Sequence, residues 1–412
     1  MDYFEYRDGE LWAEGIRVSN LAEEFGTPLY VYSAKTLRRH YNAFDTALGG
    51  LDHLTCFSVK ANGNIRLLSL LGSFGAGVDI VSGGELYRAL KAGIDPGKIV
   101  FSGVGKQEHE IREALKADIL MFNVESAQEL ERIGHIAAEM NTRARISIRI
   151  NPDVDAKTHP YISTGLKKNK FGLDMLEATG AYLLAKETPF IEPVGMDCHI
   201  GSQLTQIGPF VEALKKLLAF ADRLQSSGVE IRYLDLGGGL GITYNEEAPP
   251  LPAELGQAIA DTIAGRKLTV ILEPGRAIAG NAGILVAQVL YTKKTSAKNF
   301  VIVDAAMNDL VRPSLYGAYH RISEVNPKGR EEMVVDVVGP ICESSDFLAQ
   351  DRQLPTMEPG EYLAIFSAGA YGFTMSSQYN ARPRAAEVIV DGDRVTLARR
   401  RETYADLIAL EI

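Results

Sequence analysis

Cysteine is scarce in this chain, and basic charge is outweighed by acidic. Its 412 residues hold three cysteines, Cys56, Cys198 and Cys342, far apart from one another. An odd number at such spacing offers neither a disulfide framework nor the paired spacing of a zinc site, and it suits a reducing cytoplasm. Any of the three is then open to use as a working thiol. Lysine and arginine number 43 against 53 aspartates and glutamates, a formal net charge of −10 with no basic cluster standing out. That balance excludes a general affinity for nucleic-acid phosphates. No uncharged apolar run approaches the roughly 20 residues needed to cross a bilayer. The opening Met1-Asp2-Tyr3-Phe4-Glu5 lacks the basic and apolar regions of a secretion signal. Internal repeats, low-complexity tracts and flexible linkers are missing as well, and no His/Asp/Glu cluster recurs at metal-ligand spacing, which counts against a metal-dependent hydrolase. The expectation is a soluble, cytoplasmic, globular protein. A single core usually stops growing at about 250–300 residues, so two domains are expected.

What the chain has in quantity is alternation. Eight apolar, strand-like runs recur at 54–59, 77–81, 98–101, 119–122, 145–150, 194–198, 231–236 and 268–272, with helix-like stretches between them. Strand and helix alternating from Ala34 to Gly280 mark stacked βαβ units. The runs deliver in turn Lys60, Ser82, Ser102, Asn123, Asn151, His199, Gly237 and Glu273. In a closed parallel barrel all strand C-termini open on one face, and that face holds the active site. Ser82 and Ser126, the second followed by Glu129, sit where helix N-caps belong. The longest irregular stretch, Asn151 to Gly172, follows the fifth run and carries His159, Lys167, Lys168 and Lys170. A loop of that length on the active face reads as a lid. Past Gly280 the helical period gives way to strand-like runs at 283–291, 300–304, 333–338, 362–366, 386–390 and 395–398. Residues 3–13 read as a hairpin turning at Asp8-Gly9. An open β domain has an edge to accept it, whereas a closed barrel has none. The expected organisation is a (β/α)8 barrel over 31–280 and a mainly β domain made of 1–30 with 281–412.

Several strand ends carry groups capable of chemistry, and each has a plainer reading beside it. Lys60 follows a buried strand, where burial would lower its pKa toward a nucleophilic amine; taken alone, the plainer reading of a lysine snorkelling at the barrel rim is the stronger. The run Leu234-Asp235-Leu236-Gly237-Gly238-Gly239 enters a glycine-rich turn whose N–H groups could approach an anion such as phosphate, or it is simply a tight turn. It is no dinucleotide fingerprint, because neither Ile242 nor Tyr244 is the glycine that G-x-G-x-x-G requires. Glu273 and Arg276 pair an acid with a guanidinium, which could be only a surface ion pair. A lone strand-end His199 is more often structural. Outside the barrel, Cys342 is open to the reading of a small buried hydrophobe, and Tyr371, on a glycine-flexed strand end, to packing.

Taken together and in this order, Phe57-Ser58-Val59-Lys60-Ala61-Asn62, His199-Ile200-Gly201-Ser202-Gln203, Leu234 to Gly239, Glu273-Pro274-Gly275-Arg276, Arg312 to His320, Cys342-Glu343-Ser344-Ser345-Asp346 and Ala370-Tyr371-Gly372 resemble the diaminopimelate decarboxylases. These are pyridoxal 5'-phosphate (PLP) dependent decarboxylases of the alanine-racemase-like fold. The resemblance covers almost the whole chain. It implies a PLP-binding (β/α)8 TIM barrel plus a mainly β C-terminal domain, acting as a homodimer with shared active sites. It further implies that Lys60 joins the cofactor covalently, that Gly237, Gly238, Gly239, Gly275, Arg276 and Tyr371 cradle its phosphate, and that Asp79 and Ser202 also hold it. His199 would stack on the ring, and Glu273 would meet the pyridine nitrogen, where racemases of the same fold place an arginine.

The same resemblance implies a substrate and a reaction, the decarboxylation of meso-2,6-diaminopimelate to L-lysine, the last step of lysine biosynthesis. The far end of that substrate bears a carboxylate and an ammonium. Arg276 and Arg312 suit the first bidentately, Tyr316 adds a hydroxyl, Tyr371 completes the set, and Glu343 suits the second. Cys342, donated by the neighbouring subunit, would protonate the α-carbon once CO2 has left. The rivals are an enzyme of this fold acting on another or a carrier-linked amino acid, and a non-catalytic relative, which would be expected to have lost Lys60 or Glu273.

Overall fold

The structure, a computed structural model, describes residues 2–155 and 170–412. The stretch read as a lid lies for the most part, at 156–169, outside the described residues. Two compact units emerge. One comprises His40–Ile242 with Ala248–Ala277; the other takes the residues up to Arg39, Thr243–Glu247 and Ile278–Ile412.

The first unit is the expected closed barrel. Its strands are His53–Ser58, Gly77–Ile80, Ile99–Phe101, Met121–Val124, Ala144–Arg149, Ile191–Asp197, Tyr233–Asp235 and Thr269–Leu272. Each pairs in parallel with its successor, and the eighth closes onto the first through Val270 and His53, Ile271 and Leu54, and Leu272 and Thr55. Strands covered by helices on one side and by one another on the other are buried on both faces, so they appear as unbroken apolar runs with no alternation. Cys56, Val100, Met121, Val194 and Ile271 form a buried cluster that Leu54, Leu120 and Tyr233 pack against. The helices start where the sequence placed their caps. Ser82 Oγ accepts the Glu85 N–H at 3.2 Å to open Gly83–Lys91, and Ser126 Oγ accepts the Glu129 N–H at 3.2 Å to open Ala127–Glu139. The fourth strand begins two residues later than its apolar run, at Met121. Asn123 therefore lies within the strand, fully buried, and not beyond its end.

The second unit is built on a nine-stranded sheet. Along its main path run Phe347–Pro355, Glu332–Val338, Asn299–Val303, Gly283–Lys294, Leu29–Ser33, Ala386–Asp391 and Arg394–Arg399; Tyr362–Ile365 and Ile322–Glu324 attach to one side. The sequence reading missed three of these. Leu29–Ser33 is buried throughout and pairs with both Gly283–Lys294 and Ala386–Asp391. Phe347–Pro355 hides its strand character behind Gln350-Asp351-Arg352-Gln353 and is held by pairing with Glu332–Val338. Ile322–Glu324 is only three residues long. The N-terminal hairpin forms, with Asp8 and Gly9 both at positive φ, and gains a third strand, Ile16–Arg17. It does not extend the large sheet. It packs against that sheet as a small layer of its own, through Leu11 in a core with Val31, Ile284, Val286, Phe366 and Val388. Among the described residues no helix is long and apolar enough to cross a membrane.

Candidate active site

At the C-terminal end of the barrel the strands finish in charged residues. Asp79 is the penultimate residue of its strand, Arg149, Asp197 and Asp235 are the last of theirs, and Glu125 and Glu273 follow directly on two others. All six are buried. Lys60 stands in a short 3-10 turn, Val59–Ala61, that continues the first strand. Its Nζ lies 2.6 Å from Asp79 Oδ2, and the Ser58 hydroxyl donates to the same oxygen at 2.9 Å. The Lys60 side chain is 37% exposed, the placement of a rim lysine more than of a fully buried amine, and it pairs with a fully buried carboxylate. Asp79 Oδ1 is buried and finds no hydrogen-bond partner among the described residues.

Glu273 is knit into the same end. The Ser102 hydroxyl donates to Glu273 Oε1 at 3.4 Å, and the Asn123 amide lies 3.2 Å from Asp235 Oδ2 and 3.5 Å from Glu273 Oε1. Burial drives the Glu273 carboxyl well above the ordinary range, and the neighbouring Asp235, Asp79 and Asp197 push it further, with Lys60 opposing. The same cause raises Asp197 and brings Asp235 to about 6, against hydrogen bonds from the Gly237 N–H, Glu273 and Asn123. Arg149 answers the acids from the fifth strand, donating to Glu125 Oε1 at 2.8 Å and standing 3.8 Å from Asp197. Glu125 also accepts the N–H groups of Gly103 and Gly172.

The triglycine turn is tight for packing reasons as well as chemical ones. A side chain at Gly238 would place its Cβ 2.3 Å from the Glu273 carbonyl oxygen, and one at Gly239 2.3 Å from that of Gly201, with Gly239 at φ +118. Two of its N–H groups are engaged within the protein, Gly237 on Asp235 Oδ1 at 2.9 Å and Gly238 on His199 Nδ1 at 3.2 Å. His199 therefore carries its proton on Nε2. The low-polarity surroundings, Arg149 and Lys60 keep its pKa well below the usual value, so it is a neutral imidazole. Gly239 touches Gly201, and the next residue, Ser202, takes the guanidinium of Arg276 on its hydroxyl at 3.1 and 3.3 Å. Gly275 is packed against Ala61 and Ser58, where a Cβ would come within 2.9 Å of each side chain. The structure thus gathers Lys60, Asp79, His199, Ser202, Gly237, Gly238, Gly239, Glu273, Gly275 and Arg276 at one end of one barrel.

The remaining residues singled out in the sequence belong to the β unit. Arg312 opens a five-residue helix that ends at Gly317, φ +60. It is buried, stacks over the Tyr244 ring at 4.7 Å, and meets His320 Nε2 at 2.9 Å. His320 Nδ1 lies 2.8 Å from the Phe366 carbonyl, so that nitrogen carries the proton and Nε2 is left to accept from Arg312. Tyr316 closes the same short helix, half-buried. Tyr371 sits at φ +56 on a backbone that Gly372 brings so close to Ala368 O that a Cβ there would lie 2.4 Å away. Cys342 is exposed, unlike Cys56 and Cys198, whose thiols burial holds well above the ordinary range. That removes two of the three thiols and also the reading of Cys342 as a buried hydrophobe. Sequence reasoning passed over Arg149, Glu125, Asp197 and Asp235. Their signal was available: a charged residue ending an otherwise apolar buried strand is costly unless paired.

A model of the pyridoxal-dependent decarboxylase family, pyridoxal binding domain, matches residues 34–280. A diaminopimelate decarboxylase of Pseudomonas aeruginosa is 55% identical, with 100% of this chain and 99% of that protein covered. One from Vibrio cholerae is 54% identical, again over 100% and 99%. Among solved structures, the diaminopimelate decarboxylase of Helicobacter pylori complexed with L-lysine superposes with a TM-score of 0.93 at 48% identity, covering 95% of this chain and 98% of that one. The enzyme of M. jannaschii in co-complex with L-lysine gives 0.95 at 44% identity, covering 100% and 98%.

Acids whose pKa is raised in the fold keep protons that the unfolded chain has already released, so they remove stability as pH rises. In the cofactor-free protein, Glu273→Gln is expected to raise the thermal midpoint at about pH 8, with the gain shrinking toward about pH 5 as residue 273 of the unfolded wild-type chain regains its proton. Scanning calorimetry checks this, and a midpoint below wild type at the higher pH would contradict it.

Proposed function

The chain belongs to the diaminopimelate decarboxylases, within the pyridoxal-dependent decarboxylases, and on that premise we propose that it removes one carboxyl group from meso-2,6-diaminopimelate to give CO2 and L-lysine, the last step of lysine biosynthesis. It is a carboxy-lyase that uses PLP. One observation carries the reading: a chain alike along its full length to these enzymes pairs Lys60 with Asp79 among the strand-end acids that include Glu273. The residues fit the cofactor. Among the described residues, buried carboxyl groups outnumber the cations acting on them, which suits a ring nitrogen carrying a proton. Asp79 keeps one buried oxygen without a partner among the described residues. The turn at Gly237, Gly238 and Gly239, with Ser202, Gly275, Arg276 and Tyr371, would hold the phosphate.

When bound, PLP supplies an electron sink for the pair of electrons released with CO2. The chain's own groups do the rest. Asp79 holds the Lys60 Nζ at 2.6 Å and so directs the amine. Glu273, protonated by its surroundings, has a proton to share with the ring nitrogen and then remains as the carboxylate beside it. His199, neutral and anchored by Gly238, presents a flat uncharged face suited to stacking. Arg276 and Arg312 answer the distal carboxylate bidentately, Tyr316 adds its hydroxyl, and Glu343 answers the distal ammonium. An amino acid without that carboxylate forgoes charge-assisted hydrogen bonds to these guanidinium groups, which penalises it. Cys342 gives its Sγ proton to the α-carbon.

We propose further that the enzyme works in the cytoplasm as a homodimer, with Cys342 and Glu343 serving the site of the other copy. Incubation of meso-diaminopimelate with purified protein should yield L-lysine and CO2 in proportion to added PLP. Faster turnover of ornithine than of meso-diaminopimelate would overturn the assignment. Mixing inactive Lys60→Ala with inactive Cys342→Ala subunits should restore activity, since one mixed site then holds both intact groups. Complete failure of mixed dimers to recover would contradict the sharing.

A further inference from the structure

Tyr379 and Asn380 stand in a 3-10 turn of the β unit, Tyr379–Ala381, that the sequence reading left unremarked. Both reach the segment bearing Cys342 and Glu343. The Tyr379 hydroxyl donates to Glu343 Oε2 at 2.6 Å, and Asn380 Oδ1 accepts the Cys342 backbone N–H at 2.8 Å. The Ser345 hydroxyl donates to the other carboxylate oxygen of Glu343. An exposed glutamate is ordinarily free to change rotamer, but hydroxyls on both oxygens hold this one in a single pose and keep it ionised below the usual range.

The frame behind these contacts is firm. Asn380 and Ala381 both adopt φ +54, a left-handed backbone that L-residues take up only at a cost. The Ser377 N–H donates to the carbonyl of buried Asn308 at 2.9 Å, tying the start of the turn to the stretch just before Arg312. At the far end of the Cys342 segment, buried Asp346 accepts the N–H groups of Met307 and Ile341, each at 2.7 Å. The Cys342 segment is thus fastened on both sides, and among the described residues Tyr379 is the side chain outside that segment that hydrogen-bonds the Glu343 carboxylate.

We propose that Tyr379 is a positioning residue, setting the Glu343 carboxylate to receive the ammonium at the far end of the substrate. The proposal rests on the role given to Glu343 above. A purely structural tyrosine would act on the segment whatever residue 343 carried; a positioning one acts through the charge of Glu343.

The test is a double-mutant cycle on the PLP-loaded enzyme with wild type, Tyr379→Phe, Glu343→Gln and the double variant. Loss of a hydrogen bond to a charged group should raise KM for meso-diaminopimelate by about tenfold or more, with a far smaller change in kcat. Inhibition by L-lysine, which carries the same distal ammonium, should weaken in step. In the Glu343→Gln background the tyrosine substitution should cost less than about twofold, because interacting residues are not additive. An unchanged KM in Tyr379→Phe, or an equal loss in both backgrounds, overturns the proposal. If wild type prefers another amino acid with a distal ammonium, the substrate assignment falls while the cycle, run on that substrate, still judges Tyr379. A preference for an amino acid lacking that ammonium overturns both.

Discussion

Burying carboxylates with few cations among the described residues to answer them is the constraint around which this barrel is organised. Asp79, Glu125, Asp197, Asp235 and Glu273 converge at the strand ends, and among the described residues Lys60 and Arg149 are cations that act on them. Unpaired buried charge is among the most costly things a fold can contain. The structure answers with N–H donors from Gly103, Gly172 and Gly237, with the Arg149 pair, and with protons retained on the acids. Each answer is partial. On the proposed reading the imbalance suits a ring nitrogen that must stay protonated, since the same acids that weaken the cofactor-free barrel would favour the cationic form of that ring.

The same logic explains why the glycines and His199 cannot be considered separately. Gly237 and Gly238 bring their N–H groups onto Asp235 and His199 only because the turn has no side chains to collide with Glu273, Cys198 and Gly201. One local turn thereby orients an acid, fixes the tautomer of an imidazole and brings Ser202 beside Arg276. In the β unit Arg312 is handled comparably, its direction set by stacking on Tyr244 and by a histidine whose own proton is committed to Phe366 O. Both units spend rigid backbone on aiming a few polar groups, as substrate recognition by charge requires.

Much of this was legible in the sequence, and the legible parts share a cause. Barrel strands buried on both faces leave runs such as Val194 to Cys198 that no surface element imitates, and serine caps at Ser82 and Ser126 announce the helices between them. The order of motifs from Lys60 to Tyr371 carried the cofactor and the reaction. What stayed hidden depends on partners remote in sequence. Phe347–Pro355 is a strand because Glu332–Val338 pairs with it, not because its own residues favour one. Arg149 and Asp197 matter because they meet across neighbouring strands, and Lys60 finds its carboxylate partner in Asp79, 19 residues on. Tyr379 gave no signal at all, since a tyrosine in a polar turn looks like surface.

The central claim is that the Lys60 amine, held by Asp79 among these acids, is the group to which the aldehyde of PLP is joined. Borohydride reduction of the PLP-loaded protein followed by peptide mapping tests it most directly. A pyridoxyl group on the peptide containing Lys60, missing when Lys60→Ala is treated in the same way, is the expected result. A pyridoxyl group on another lysine, or none on any peptide of a protein that still decarboxylates, would contradict the account.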